Sequence, residues 1–429
     1  MQIQIPKLSL VLLVGAAGSG KSTFAKRHFQ STRVVSSDFY RGVVSNDESD
    51  QSATSDAFAI LHQIVAYRLK RGLLTVIDAT NLEARSRDQL RLIGKKFNVR
   101  SVAIVFNLPL DLCLERNRGR ERKVPEDVLA NQARQVPGNA KKLEKEGFFK
   151  AFILNAEQMD QAEIELLKMP PDLRSEKGPF DLIGDIHGCF NELKILLEKL
   201  GYQIDKKNNR YDIHHPQGRK PVFLGDLVDR GPNTPEVLRL VMDLVDQDRA
   251  LCVPGNHEVK LYRKLMGKEV NMAHGLAESV EQMARETPEF ANRVCRFIEK
   301  RTHHLVLDDG RLVAAHAGIK HYMIMRDTPR VRSFALWGDV SGKTDEYGLP
   351  IRGNWAQKYK GEAMVVYGHT PVARAVWENN TICIDTGCVF GGKLTALRYP
   401  EAELVSTPAL KTWYQPVRPI ESAISEESQ

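Results

Sequence analysis

Apolar residues gather in short runs that stop at polar ones. "LSLVLLV" (8–14), "RVVSSD" (33–38), "LLTVIDATN" (73–81) and "VRSVAIVFNLP" (99–109) read as buried strands. Helical stretches lie between them: "GKSTFAKRHF" (20–29) opens one, and "SDAFAILHQIVAYRLKRG" (55–72) is another. Strands apolar on both faces, alternating with helices, predict a parallel sheet covered on both sides, an α/β architecture. The stretch "KMPPDLRSEKGPFD" (168–181) breaks this pattern with three prolines and many charges. The expected organisation is a first domain over 1–169, a linker over 170–180, a second domain over 181–400 and a tail over 401–429. The tail ends in "ESAISEESQ" and is expected to fray.

Beyond the linker, short apolar strands end again and again in residues that bind metals. They are "FDLIGDIHG" (180–188), "PVFLGDLVDRG" (221–231), "ALCVPGNHE" (250–258), "LVAAHAG" (312–318), "MVVYGHTP" (364–371) and "TICIDTG" (381–387). A largely helical insertion is expected between Glu258 and His304.

Composition narrows the class. A chain of 429 residues with 42% hydrophobic and 27% charged residues matches a soluble protein of two or three domains. Its six cysteines form no CxxC pair, which argues against a zinc knuckle or a disulfide framework and fits reduced thiols in the cytoplasm. "LSLVLLVGAAG" resembles a signal-peptide core, but no basic segment precedes it and it runs straight into "GSGKST", so a buried strand explains it better. No apolar run reaches the roughly 18 residues of a membrane span. The net charge of +7 lies wholly in residues 1–170, where 26 Lys and Arg face 19 Asp and Glu. That excess suits a polyanionic partner.

Gly15-Ala16-Ala17-Gly18-Ser19-Gly20-Lys21-Ser22 fits GxxxxGK[ST], followed by Thr23. Between a strand and a helix, this loop wraps nucleotide phosphates in backbone amides. Lys21 is then expected at the β- and γ-phosphates of ATP, and Ser22 at Mg²⁺. "SSDFYRG" follows the second strand. Asp38 could take a proton from an acceptor hydroxyl and Arg41 could hold an acceptor phosphate, or the two could be a helix cap and a solvated cation. Asp78 could hold Mg²⁺ through water or simply end its strand. In "ERNRGRERK", Arg116, Arg118, Arg120, Arg122 and Lys123 do not form one helical face, and a lid closing over a transferring phosphoryl group fits them better.

In the second half, Asp185, His187, Asp226, Asn256, His257, His316, His369 and Asp385 all follow strands. Oxygen and imidazole donors suit Mn²⁺, Fe²⁺ or Zn²⁺. A bridging carboxylate, Asp226, would hold two ions about 3.5–4 Å apart. His257 would protonate a leaving oxygen, and Arg230 would grip two phosphate oxygens.

"GDIHG…GDLVDRGP…GNHE…HAG…GHTP" resembles the calcineurin-type binuclear metallophosphoesterases. Joined to "GSGKST…SSDFYRG…DATN" and "ERNRGRERK", residues 5–400 resemble the bacterial polynucleotide kinase–phosphatases that heal ends in RNA repair. The resemblance implies a P-loop kinase domain with a parallel sheet, then a metallophosphoesterase domain of two packed sheets flanked by helices. It implies a 5′-OH polynucleotide kinase and a phosphatase for 3′-phosphate, 2′-phosphate and 2′,3′-cyclic phosphate ends, using ATP with Mg²⁺ and a pair of metals such as Mn²⁺. By the family pattern Asp38 is the general base, Arg41 contacts the acceptor strand, and Arg116 and Arg120 belong to the lid. The implied metal ligands are Asp185, His187, Asp226, Asn256, His316 and His369, with Arg230 and His257 on the phosphate and Asp385 at an essential position. The expected partners are RNA or DNA ends and, with no Lys-x-Asp-Gly motif in the chain, a separate ligase. A homodimer is compatible with the sequence, and no membrane partner is expected. Two rivals share some of these features. One is a protein phosphatase or diadenosine polyphosphate hydrolase with a regulatory ATP-binding domain, which needs neither Asp38 nor Arg41. The other is an ATP-switched nucleic-acid-binding module, which has no use for metal ligands.

Overall fold

The computed structural model describes residues 1–420 apart from 121, 144 and 209. The stretch "ESAISEESQ" lies outside the described residues. The chain divides into two units, Met1–Met169 with Arg326–Thr328, and Pro170–Met325 with the chain from Pro329 onward.

In the first unit five parallel strands form one sheet in the order Val34–Ser36, Thr75–Asp78, Ser9–Val14, Arg100–Phe106, Lys150–Leu154. Every residue of the central strand Ser9–Val14 is buried, as its unbroken apolar run requires. Side chains alternate between the two faces. Val11 and Leu13 pack with Phe24 of the helix Lys21–His28 and with Ile104 and Phe106 of the next strand. A separate parallel pair, Gln2–Pro6 with Glu163–Leu167, joins the two ends of the unit.

The second unit stacks two mixed sheets. One runs Leu251–Cys252, Lys220–Phe223, Phe180–Ile183, Lys393–Tyr399, Glu403–Pro408. The other runs Trp377–Glu378, Thr381–Cys383, Met364–Tyr367, Leu312–Ala315, His304–Leu307, Asp172–Leu173. Alternation along each strand divides its residues between two cores. Phe180 and Leu182 point between the sheets toward Leu305, Leu307 and Ile382. Ile183 points outward, under the helices Phe190–Leu200 and Thr234–Asp246.

Two expected boundaries are corrected. Asp172–Leu173, expected in a linker, hydrogen-bonds along His304–Leu307 as an edge strand. Glu403–Pro408, expected in a tail, pairs antiparallel with Lys393–Tyr399, and Trp413 and Tyr414 pack on the helical core. The insertion is helical as expected, with helices Asn256–Leu265, Leu276–Met283 and Pro288–Glu299. No helix among the described residues is long and apolar enough to cross a membrane.

Candidate active sites

In the first unit the buried strand Ser9–Val14 ends at Gly15, and the helix Lys21–His28 begins six residues later. The backbone amides of the loop thus gather at a helix N-terminus, where anions bind. Gly18 sits at φ 72°, and a Cβ there would collide with the Cys113 carbonyl, so neither angle nor space admits a side chain. Ser19 is buried, whereas Ser22 and Thr23 are exposed on the first turn. The Lys21 ammonium donates to the carbonyls of Gly15 (2.9 Å) and Ala16 (2.7 Å). Burial lowers its pKa to about 8, against the opposing pull of Asp78. Asp78, at the end of the neighbouring strand, accepts from Ser22, and burial pushes its carboxyl up.

Asp38 is the second residue of the helix Ser37–Ser45, whose cap is Ser36. The capping alternative for Asp38 therefore falls away. Its carboxylate is paired with Arg41 of the same helix and with Arg122 at 2.8 Å. Burial raises the Asp38 carboxyl, but the two guanidiniums outweigh it and hold it below the usual value. Arg41 is buried, not solvated. The arginine cluster divides. Arg116 lies beside Gly20, and the Arg120 charge acts on both Lys21 and Asp78. Arg118 turns away to Glu126 at 3.1 Å.

The second unit brings the remaining candidates together around Asp226. Asp226 Oδ2 lies 3.6 Å from His187 Nε2, and its Oδ1 lies 3.3 Å from His316 Nε2. Two donor groups share this carboxylate, His187–Asp226–His257 and Asp226–His316–His369, with the ligand atoms of each group within 4.8 Å of one another. Asn256 Oδ1 is 3.0 Å from His316 Nε2, and the backbone amide of His369 donates to Asp185 Oδ2 (2.9 Å). Gly368 allows this approach, because a Cβ there would strike Asp185 Oδ1.

These residues fit divalent metal ions. His187 and His316 turn Nδ1 onto the carbonyls of Val228 (2.8 Å) and Leu224 (2.9 Å), which only an N–H can satisfy. Each Nε2 therefore carries a lone pair, and both lone pairs face Asp226. At His316 the lone pair also meets Asn256 Oδ1 at 3.0 Å, an acceptor facing an acceptor, which a cation relieves; at His187 the Arg230 guanidinium supplies positive charge. Asp185 Oδ1 is buried with no hydrogen-bond partner. Burial, then the charges of Asp385 and Asp226, push the Asp185 carboxyl well up. Burial likewise raises Asp226 and Asp385, each to about 7. Three buried carboxylates at close range call for positive charge.

Arg230 donates to Nε2 of His187 (2.6 Å) and of His257 (3.2 Å), so it stands over the donor set. Four further residues escaped the sequence reading. Asp229 holds His257 Nδ1 at 2.5 Å, and burial pushes its carboxyl up to about 8. Glu258 accepts from the backbone of Asp226 (2.9 Å), Leu227 (2.7 Å) and Gly255 (2.6 Å) and so fixes the loop that carries Asp226. Ser279, in the helical insertion, accepts from the Asp229 backbone at 2.8 Å. Arg352, on the hairpin Val340–Thr344/Pro350–Arg352, meets His369 Nε2 at 2.9 Å. Asp229 was visible as the second acid within "GDLVDRG", and Glu258 as the one acid of "GNHE". Ser279 and Arg352 lie in no motif.

Comparison with known proteins agrees with both units. A model described as an AAA domain matches residues 10–138, and one described as a calcineurin-like phosphoesterase matches residues 178–373. The asymmetrical bis(5′-nucleosyl)-tetraphosphatase PrpE of Anoxybacillus flavithermus is 47% identical over 234 residues, 54% of this chain and 94% of that one. Its counterpart in Geobacillus thermodenitrificans is 48% identical over 233 residues, 53% of this chain and 94% of that one. A solved structure of a protein provisionally described as a diadenosine tetraphosphatase is 24% identical, with a TM-score of 0.40, and covers 56% of this chain and 96% of its own. These relatives are named as tetraphosphatases, not as polynucleotide kinase–phosphatases.

Proposed function

The chain belongs to the calcineurin-like phosphoesterase family with a P-loop domain ahead of it, and from that premise we propose that it heals nucleic-acid ends. The first unit phosphorylates a 5′-OH end with ATP and Mg²⁺. The second removes 3′-phosphate, 2′-phosphate or 2′,3′-cyclic phosphate, and a separate ligase then seals the ends. The observation that carries this reading is the acceptor side of the phosphate loop. A hydrolase with a regulatory ATP domain does not need an ionised Asp38 held between Arg41 and Arg122 and acting on Lys21 through space.

In the kinase step Asp38 receives the proton of the attacking hydroxyl, while Arg41 and Arg122 fix its direction. Lys21, Arg116 and Arg120 offset the charge of the transferring group. In the phosphatase Asp185, His187, Asp226, Asn256, His316 and His369 would hold two divalent ions, Mn²⁺ in our reading. Bound there, the ions supply an activated water and charge neutralisation. Arg230 grips the phosphate from the open side. Asp229 holds the Nδ1–H of His257, so that the ring, once protonated at Nε2, gives that Nε2 proton to the leaving oxygen and returns to the neutral form.

The names of the relatives favour a second reading for the second unit, hydrolysis of bis(5′-nucleosyl) tetraphosphates. Three assays at equal substrate concentration separate the two: phosphate transfer to a 5′-OH oligonucleotide, phosphate release from a 3′-phosphorylated one, and cleavage of diadenosine tetraphosphate. End healing requires turnover in the first two. Turnover in the third alone supports the tetraphosphatase.

A further inference from the structure

The cleft beside the metal-ligand residues, about 1140 Å³, is far larger than one phosphate needs. Its walls combine rings with cations: Tyr414, Phe390 and Trp337 with Arg230, Lys260 and Arg418. Arg230 ties the two ends of the cleft together. Its guanidinium meets the Nε2 atoms of His187 and His257, and also lies 5.1 Å from the centre of the Phe390 ring. The Phe390 ring thus stands one side chain away from the phosphate position. Tyr414 meets it edge-on, with ring centres 6.5 Å apart and planes at 63°.

The chain fixes this pair by several bonds. The backbone amides of Trp413 and Tyr414 both donate to the Val389 carbonyl, at 3.0 Å. Trp413 Nε1 (2.7 Å) and the Leu410 amide (3.1 Å) donate to Glu192, a buried carboxylate on the helix that follows "GDIHG". Beyond Tyr414, Arg418 reaches Asp345 at 3.4 Å. These bonds fix the backbone at Tyr414 beside Phe390, at the wall of the cleft.

Building on the end-healing reading, we infer that Tyr414, backed by Phe390, is the platform on which the base of the phosphate-bearing nucleotide stacks. Rings beside cations are the composition that binds nucleotides without regard to sequence. A bare phosphoester gains nothing from the rings, and a phosphopeptide has no flat base to lay on them.

The test compares an oligonucleotide ending in a base-bearing 3′-phosphate with the same oligonucleotide ending in an abasic 3′-phosphate, with Mn²⁺ present. The wild-type enzyme favours the base-bearing end. Tyr414→Ala raises KM for that end roughly 5- to 100-fold with kcat little changed, and Tyr414→Phe restores it. Unchanged turnover of the abasic end shows that the variant is folded. Equal loss on both ends, no loss on either, or a phosphopeptide preferred by the wild type and indifferent to Tyr414→Ala overturns the inference. If the wild type cleaves diadenosine tetraphosphate but neither oligonucleotide, the end-healing reading fails alone. The same variants, compared on diadenosine tetraphosphate and on inorganic tetraphosphate, then decide the stacking platform. A selective KM rise for diadenosine tetraphosphate sustains it, and an equal effect on the two overturns it.

Discussion

His187, Asp226, Asp229, Arg230 and His369 all hold left-handed backbone, with φ of 47°, 46°, 74°, 70° and 73°. Such angles cost a residue with a side chain on the order of 1 kcal/mol or more each, and they persist only where the surroundings impose them. The sequence shows the residue types and hides the strain, because nothing in "DLVDRG" marks a turn that aims three side chains at one point. In the first unit the decisive residue is Asp38. Replacing it with Ala removes the proposed base and is expected to slow 5′-phosphorylation about 10²–10⁴-fold while ATP still binds; near-normal transfer by that variant would count against its role. Lys21 gives a pH signature. Its folded pKa is lowered to about 8 from 10.5, so between these values the unfolded chain binds more protons than the folded one. Its contribution to stability therefore rises with pH across that window. Denaturant unfolding at pH 8, 9 and 10 should show this rise in the wild type and a flatter line in Lys21→Met.

Among the elements, the helical insertion gains a role that its sequence did not announce. Gln282 and Ser279 of the helix Leu276–Met283 bond to the turn that carries Asp229 and Arg230. Ser279→Ala leaves the buried Asp229 amide with only its longer bond to Thr234 Oγ1, 3.3 Å, at a cost of about 0.5–1.5 kcal/mol. Phosphatase turnover should fall while 5′-kinase turnover stays level, and the two assays on one preparation check it. The strands that carry ligands were legible because their apolar runs are long and stop at Asp or His. Asp172–Leu173 was not, since two residues have no period to read and the surrounding prolines suggested a linker. Glu403–Pro408 was missed for another reason. It is an edge strand with only Thr407 buried, so its pattern resembles a surface segment. The phosphate loop was the most legible feature, because backbone geometry there dictates glycine. Arg352 was the least, because it reaches His369 from a hairpin that the sequence left unmarked.

At the scale of the whole molecule, the chain carries two candidate sites with no residue in common. Asp226→Ala removes the carboxylate shared by both halves of the metal-ligand cluster and should abolish metal binding and phosphate release, leaving 5′-phosphorylation intact. Lys21→Ala should do the reverse. Metal content by mass spectrometry, read beside both assays, checks the separation. The most direct test uses one oligonucleotide that carries a 5′-OH and a 2′,3′-cyclic phosphate. It is incubated with the 429-residue chain, ATP, Mg²⁺ and Mn²⁺, and the mass of each terminus is then measured. The account predicts a 5′-phosphate at one end and free hydroxyls at the other. An oligonucleotide returned with both ends unchanged, by a preparation that cleaves diadenosine tetraphosphate, would contradict it.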